Sequence, residues 1–111
     1  MVDGELITTG KVGAGVSAEQ ANELSRSCAL AALAAVDAVA GLEKVVRVVK
    51  VVGYVSSARD FTGQSGVVDG ASDLFVAVFG DAGRHARTAV GMPELPLGAP
   101  VEIEVVVEVR D

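Results

Sequence analysis

The chain has 111 residues, 50% hydrophobic but only 4% aromatic, and its nine basic and fifteen acidic residues give a net charge of −6. That length serves one hydrophobic core and not two, and a chain this apolar can offset its ordering entropy by burial, which excludes intrinsic disorder. The acidic balance repels phosphate backbones and argues against a nucleic-acid partner, and the longest apolar run, Cys28 to Val36, is too short and Ala-rich for a membrane span.

The opening Met1-Val2-Asp3-Gly4-Glu5 shows neither the basic nor the apolar part of an export signal, and the lone Cys28 cannot close an internal disulfide. Both fit a reducing cytoplasm. The apolar surplus predicts self-association.

Residues 1–16 read as a frayed, Gly-containing lead-in. Glu5-Leu6-Ile7-Thr8-Thr9 suits a short strand, and Gly10-Lys11-Val12-Gly13-Ala14-Gly15 suits a loop. The loop has neither the dinucleotide nor the P-loop spacing of a phosphate cradle and reads as a plain connection. Ser17-Ala18-Glu19-Gln20 is a capping box for a helix running to about Val39, with Gly41 as its left-handed stop. Ala21, Leu24, Cys28, Ala31 and Ala35 form a stripe of small residues expected to lie on a sheet, with Cys28 a buried small hydrophobe.

Glu43 to Ser57 is dense in valine. Lys44, Arg47 and Lys50 recur every three residues as in a helix, but β-branched density favours a long central strand. Arg59 to Gly66 reads as a loop. Val67 to Phe79 reads as a second helix with Val68, Ala71, Leu74, Phe75, Val78 and Phe79 inward, broken by Gly80 and Gly83. Arg87 to Met92 makes a third strand and Pro93 to Gly98 a turn. In the last strand Val101, Ile103, Val105, Val107 and Val109 alternate with Glu102, Glu104, Glu108 and Arg110. This order predicts an α+β layer with the helices on one face of the sheet.

Chemistry-bearing residues are few. One His and one Cys far apart in sequence make no metal site, no cofactor motif is present, and His85 beside Arg84 reads as a solvated loop residue. The informative pair is Arg87 and Glu102. If their strands are neighbours, the guanidinium offers a planar fork for a substrate carboxylate and the glutamate can orient or deprotonate a water. The plain alternative is a surface arginine and one carboxylate of a solvated acidic face.

The segment from Gly83 to Glu104, with Ala86-Arg87-Thr88, Leu95-Pro96 and Val101-Glu102-Ile103-Glu104, resembles the C-terminal signature of the RidA family, the YjgF group historically labelled endoribonuclease L-PSP. The separation of Arg87 and Glu102 fits that pattern. Upstream, Leu42 to Val51, Asp60-Phe61 and Ser72…Phe75…Phe79 follow in the family's order, so the likeness covers about Gly10 to Val109 and is similar to a divergent branch. It implies a chorismate-mutase-like α+β fold, two helices packed on one face of a mixed sheet, and a homotrimer with ligand clefts between subunits. It also implies hydrolysis of reactive enamines and imines to 2-keto acids and ammonia, of the 2-iminobutanoate/2-iminopropanoate deaminase type, without metal or cofactor.

Under that resemblance Arg87 binds the carboxylate of a small imino or keto acid, Glu102 holds the attacking water, and Ser72 and Ala89 line the pocket. An imine is already electrophilic, so positioning and modest acid–base help are enough. Ala89 stands where many members have Cys, and Ser72 where many have Asn. The chain is also expected to begin after the family's opening hairpin, as a single truncated domain with an exposed sheet edge and an incomplete pocket. The alternative is a non-catalytic small-ligand or interaction module on the same trimeric scaffold. A chorismate mutase would need more basic residues for its dicarboxylate, and a ribonuclease would need a His pair and a less acidic chain.

Overall fold

The computed structural model describes residues 8–111. Glu5 to Ile7 of the expected first strand lie outside the described residues, and Thr8-Thr9 is irregular. The elements are β1 (Lys11–Val12), β2 (Gly15–Val16), α1 (Ala18–Val39), β3 (Val45–Ser56), α2 (Gln64–Phe79), β4 (Ala86–Met92) and β5 (Val101–Val109). β3 is the centre of a three-stranded mixed sheet of order β4-β3-β5, parallel to β4 and antiparallel to β5. Both helices pack on one face of it, the expected α+β arrangement.

From Lys11 to Val16 the lead-in is not frayed. Val12 and Val16 are buried, and the Ala58 amide donates to the Val12 carbonyl at 2.9 Å. Gly13 and Gly15, at φ of 95° and 93°, let the chain turn tightly enough to bury both valines within five residues. α1 begins at the expected capping box: Ser17 Oγ accepts from the Gln20 amide at 3.0 Å, and Gln20 Oε1 accepts from the Ser17 amide at 3.1 Å. It stops at Gly41, φ 89°, where the Leu42 amide donates to Asp37 Oδ1 at 3.1 Å.

The inward line of α1 differs from the expected stripe. Ala21, Ser25, Ala29 and Leu33 are buried, Cys28 is half-buried, and Ala31 and Ala35 are exposed. The cause is α2. Gly70 lies so close to α1 that a Cβ there would fall 2.1 Å from the Asn22 carbonyl oxygen, and the Ala71 amide donates to Ser25 Oγ at 3.0 Å. α1 therefore rotates toward both the sheet and its neighbour helix.

α2 begins at Gln64, inside the expected loop, and buries Val67, Val68, Gly70, Ala71, Leu74 and Phe75, while Val78 stays 47% exposed. It rests on β3 at Gly53, where a Cβ would meet Val68 Cγ2 at 2.2 Å. Val48, Val51 and Val55 of β3 complete the core beneath Phe75.

Candidate functional site

Strand register decides which side chains share a face. Val51 pairs with Arg87 on β4 and Val105 on β5; Gly53 pairs with Ala89 and Ile103. Because alternate residues point the same way, Arg87, Ala89, Val105 and Ile103 share the helix-covered face. The next row over, Val90, Tyr54 and Glu102, points away from the helices. Arg87 and Glu102 thus lie on opposite faces of the sheet and on its two outer strands, so one chain does not frame a pocket with both.

Arg87 is instead gathered with α2. Its Nη1 donates to Asp69 Oδ1 at 2.6 Å and to Ser72 Oγ at 3.3 Å, and its Nη2 donates to Ser65 Oγ at 2.6 Å. Its side chain is 23% exposed and that of Asp69 is 51% exposed. Ser65, Asp69 and Ser72 lie three to four residues apart and so project from one side of α2 toward the β4 edge. Ser72 and Arg87, two of the residues singled out in the sequence, are together. Ala89, two residues along the same strand, is half-buried and packs on the core opposite Gly53.

His85 is not a solvated loop residue. It is half-buried, its Nε2 is 3.0 Å from Ser72 Oγ, and its Nδ1 meets the Gly83 carbonyl. Its ring stands edge-on to Phe75, with centroids 6.0 Å apart. The cluster is therefore continuous: Asp69 and Ser65, then Arg87, Ser72, His85 and Gly83. Ser65, Asp69 and His85 carried no sequence signal beyond ordinary helix and loop polarity. Only the helical spacing of Ser65, Asp69 and Ser72 could have marked them as one stripe.

Glu102 is exposed and borders a separate groove of about 520 Å³ between α1, the Pro96–Gly98 turn and β5, shared with Ser27, Cys28, Ala31 and Leu97. Burial pushes the Cys28 thiol above its ordinary pKa, and the Glu102 carboxylate adds to the rise. Cys28 therefore stays a thiol at neutral pH, consistent with a packing role. Leu97 at the rim is 81% exposed at φ 60°, a backbone conformation that non-glycine residues rarely adopt.

Among the described residues no three His, Cys, Asp or Glu side chains gather as metal ligands, and no helix is long and apolar enough to cross a membrane.

Comparison with known proteins gives a family and several similar proteins. The family model described as "YjgF/chorismate mutase-like, putative endoribonuclease" matches residues 1–109. Protein TCP17 of Trypanosoma cruzi is 45% identical over 105 residues, which cover 93% of this chain and 66% of that protein. This chain therefore spans just under two thirds of that relative's length. Among solved structures, Atu1372 of Agrobacterium tumefaciens, a protein of unknown function, superposes with a TM-score of 0.95 at 43% identity, covering 99% of this chain and 70% of its own. A "putative endoribonuclease" from Shewanella oneidensis follows at 0.92 and 26% identity, covering 98% and 73%.

Proposed function

The chain belongs to the YjgF/chorismate mutase-like family, and from that premise we propose that it hydrolyses small reactive imines or enamines to 2-keto acids and ammonia. The observation that carries this reading is the Arg87 fork. β4 holds it half-buried beside the hydroxyls of Ser65 and Ser72, with the Asp69 carboxylate seated on it as a substrate carboxylate would be. A carboxylate held there fixes the adjacent imine carbon, and positioning supplies most of what an electrophile of this kind needs. Water adds to that carbon, and the resulting carbinolamine expels ammonia to leave the ketone.

Glu102 is the base that orients this water. Since it occupies the far face of its own sheet, it serves the Arg87 of a second copy, and the working unit is an oligomer, a trimer by likeness to the family. The ribonuclease reading attached to the family sits poorly with a net charge of −6. The occupation of Arg87 by Asp69 favours one second reading, a module that binds small carboxylates and performs no turnover.

The test is competition for an imine generated in situ from an amino acid, read as how far the chain lowers the initial rate at which semicarbazide traps the imine as semicarbazone. Arg87→Ala should lower the rate at least about a hundredfold, the loss of two charge-assisted hydrogen bonds of about 1.5–3 kcal/mol each. Mixing Arg87→Ala chains with Glu102→Gln chains should restore part of the activity, since some interfaces then hold both intact residues. Imine decay no faster than in buffer, with 2-oxo acids still bound through Arg87, would leave the binding-module reading in its place.

A further inference from the structure

Ser72, His85 and the Gly83 carbonyl stand in line as a nucleophile, a base and an orienting acceptor, an arrangement the imine reaction does not use. The Gly83 carbonyl can only accept, so His85 Nδ1 carries the proton, and Nε2 of the neutral ring presents a lone pair to Ser72 Oγ at 3.0 Å. The edge-on contact with Phe75, at 87° between ring planes, holds the imidazole in that orientation. Arg87 Nη1 donates to the same Oγ from 3.3 Å, which leaves the serine hydrogen to point at His85. Both hydrogen bonds of Ser72 run across to the β4 side and not back to its own helix, where a mid-helix serine is otherwise satisfied.

We propose that Ser72 is an activated nucleophile that takes the acyl group of small, short-chain carboxylic esters, with His85 as general base and Arg87 as the cation facing the oxyanion. Ser72 Oγ bonds to the ester carbonyl carbon as its proton passes to His85 Nε2, and the oxygen that becomes negative takes the place of the Asp69 carboxylate on Arg87 Nη1. The bond from carbon to the alcohol oxygen then breaks, and the departing oxygen takes the proton back from Nε2. A water repeats the sequence on the acyl-serine, releasing the carboxylic acid and restoring Ser72, so that ester and water give acid and alcohol. Ser72 and His85 are both half-buried between α2 and β4, which is why the proposal is confined to short acyl chains.

The experiment treats the whole chain with p-nitrophenyl acetate and follows the burst of p-nitrophenolate, then maps the acetyl group by peptide mass spectrometry. Acetylation of Ser72 in the wild-type chain is expected. His85→Gln should slow it about a hundredfold or more, the usual contribution of a general base. Ser72→Ala should remove it, and Cys28→Ser should change nothing. Acetyl groups found only on lysines or Cys28, or an undiminished burst in His85→Gln, would overturn the proposal. Should Ser72→Ala fail to fold, the wild-type map and His85→Gln decide the matter alone. The probe contains no imine nitrogen, so failure here leaves the imine reading standing, and failure of that reading leaves this one.

Discussion

Replacing Asp69 by Asn should tighten the binding of small 2-oxo acid anions. Asp69 Oδ1 lies 2.6 Å from Arg87 Nη1, in the place an incoming carboxylate must take. Two unit charges with centres about 4 Å apart attract by about 4 kcal/mol at an effective dielectric constant near 20. Asp69 is 51% exposed, however, so water compensates most of that attraction when the pair opens. Partly exposed pairs retain about 0.5–1 kcal/mol net, and that is what a ligand has to displace. Removing it improves Kd by about two- to fivefold. Arg87 keeps its place in the variant, because Ser65 Oγ at 2.6 Å and Ser72 Oγ at 3.3 Å still accept from its two amino groups. Isothermal titration with pyruvate and 2-oxobutanoate reads the change, and urea unfolding should show a stability loss of no more than about 1 kcal/mol. Weaker binding in Asp69→Asn than in the wild type would refute the reasoning, since Asp69 would then be aiming the fork and not competing for it.

Two glycines of α2 give opposite outcomes for the same substitution. Gly70→Ala puts a Cβ 2.1 Å from the backbone oxygen of Asn22, so α1 must move away; an overpacking cost of about 1–3 kcal/mol exceeds the gain of about 1 kcal/mol in helix propensity, and the urea midpoint falls. At Gly66 nothing lies within 4 Å of the added Cβ, so Gly66→Ala keeps the propensity gain and raises the midpoint; equal midpoints for the two variants would contradict the close approach of the helices. Cys28 has a pKa raised above 9.0 in the folded chain, first by burial and then by Glu102. Its contribution to stability is therefore complete below pH 9 and declines as pH rises toward the folded value, and Cys28→Ala should flatten that alkaline decline in a series of urea titrations.

The elements were legible because their signals are local. The capping box of Ser17 and Gln20, the stop at Gly41 and the alternation along β5 each depend on residues within a few positions of one another. What could not be read depends on contacts between distant segments. α1 is so rich in alanine and valine that several faces are about equally apolar. Its rotation was settled by Gly70 and Ala71 of α2 meeting Asn22 and Ser25. His85 resembled a loop residue because its partners, Ser72 and Phe75, belong to another element. Arg87 stood out as a charge in an otherwise apolar strand and Ser72 through the family likeness, yet the carboxylate that meets Arg87 is Asp69, an acidic residue with nothing distinctive around it in sequence.

The separation of Arg87 from Glu102 follows from strand parity, and the hydrophobic pattern makes that parity hard to change. Sliding β5 by one residue against β3 would turn Glu102 to the helix side, but Glu104 and Glu108 would turn with it. The same slip would carry Val101, Ile103, Val105 and Val107, which now pack on the core or belong to it, out to the uncovered face. That exchange would bury three carboxylates without partners and expose four aliphatic side chains, so register slippage is not a route to a site within one chain. If Arg87 and Glu102 act on one substrate, they must come from different copies. The uncovered face offers a reason for copies to meet: Tyr54 and Val90 share the row of Glu102, and Val106, which points the same way, is 47% exposed. Burying such residues against a second chain would remove apolar surface that neither helix covers.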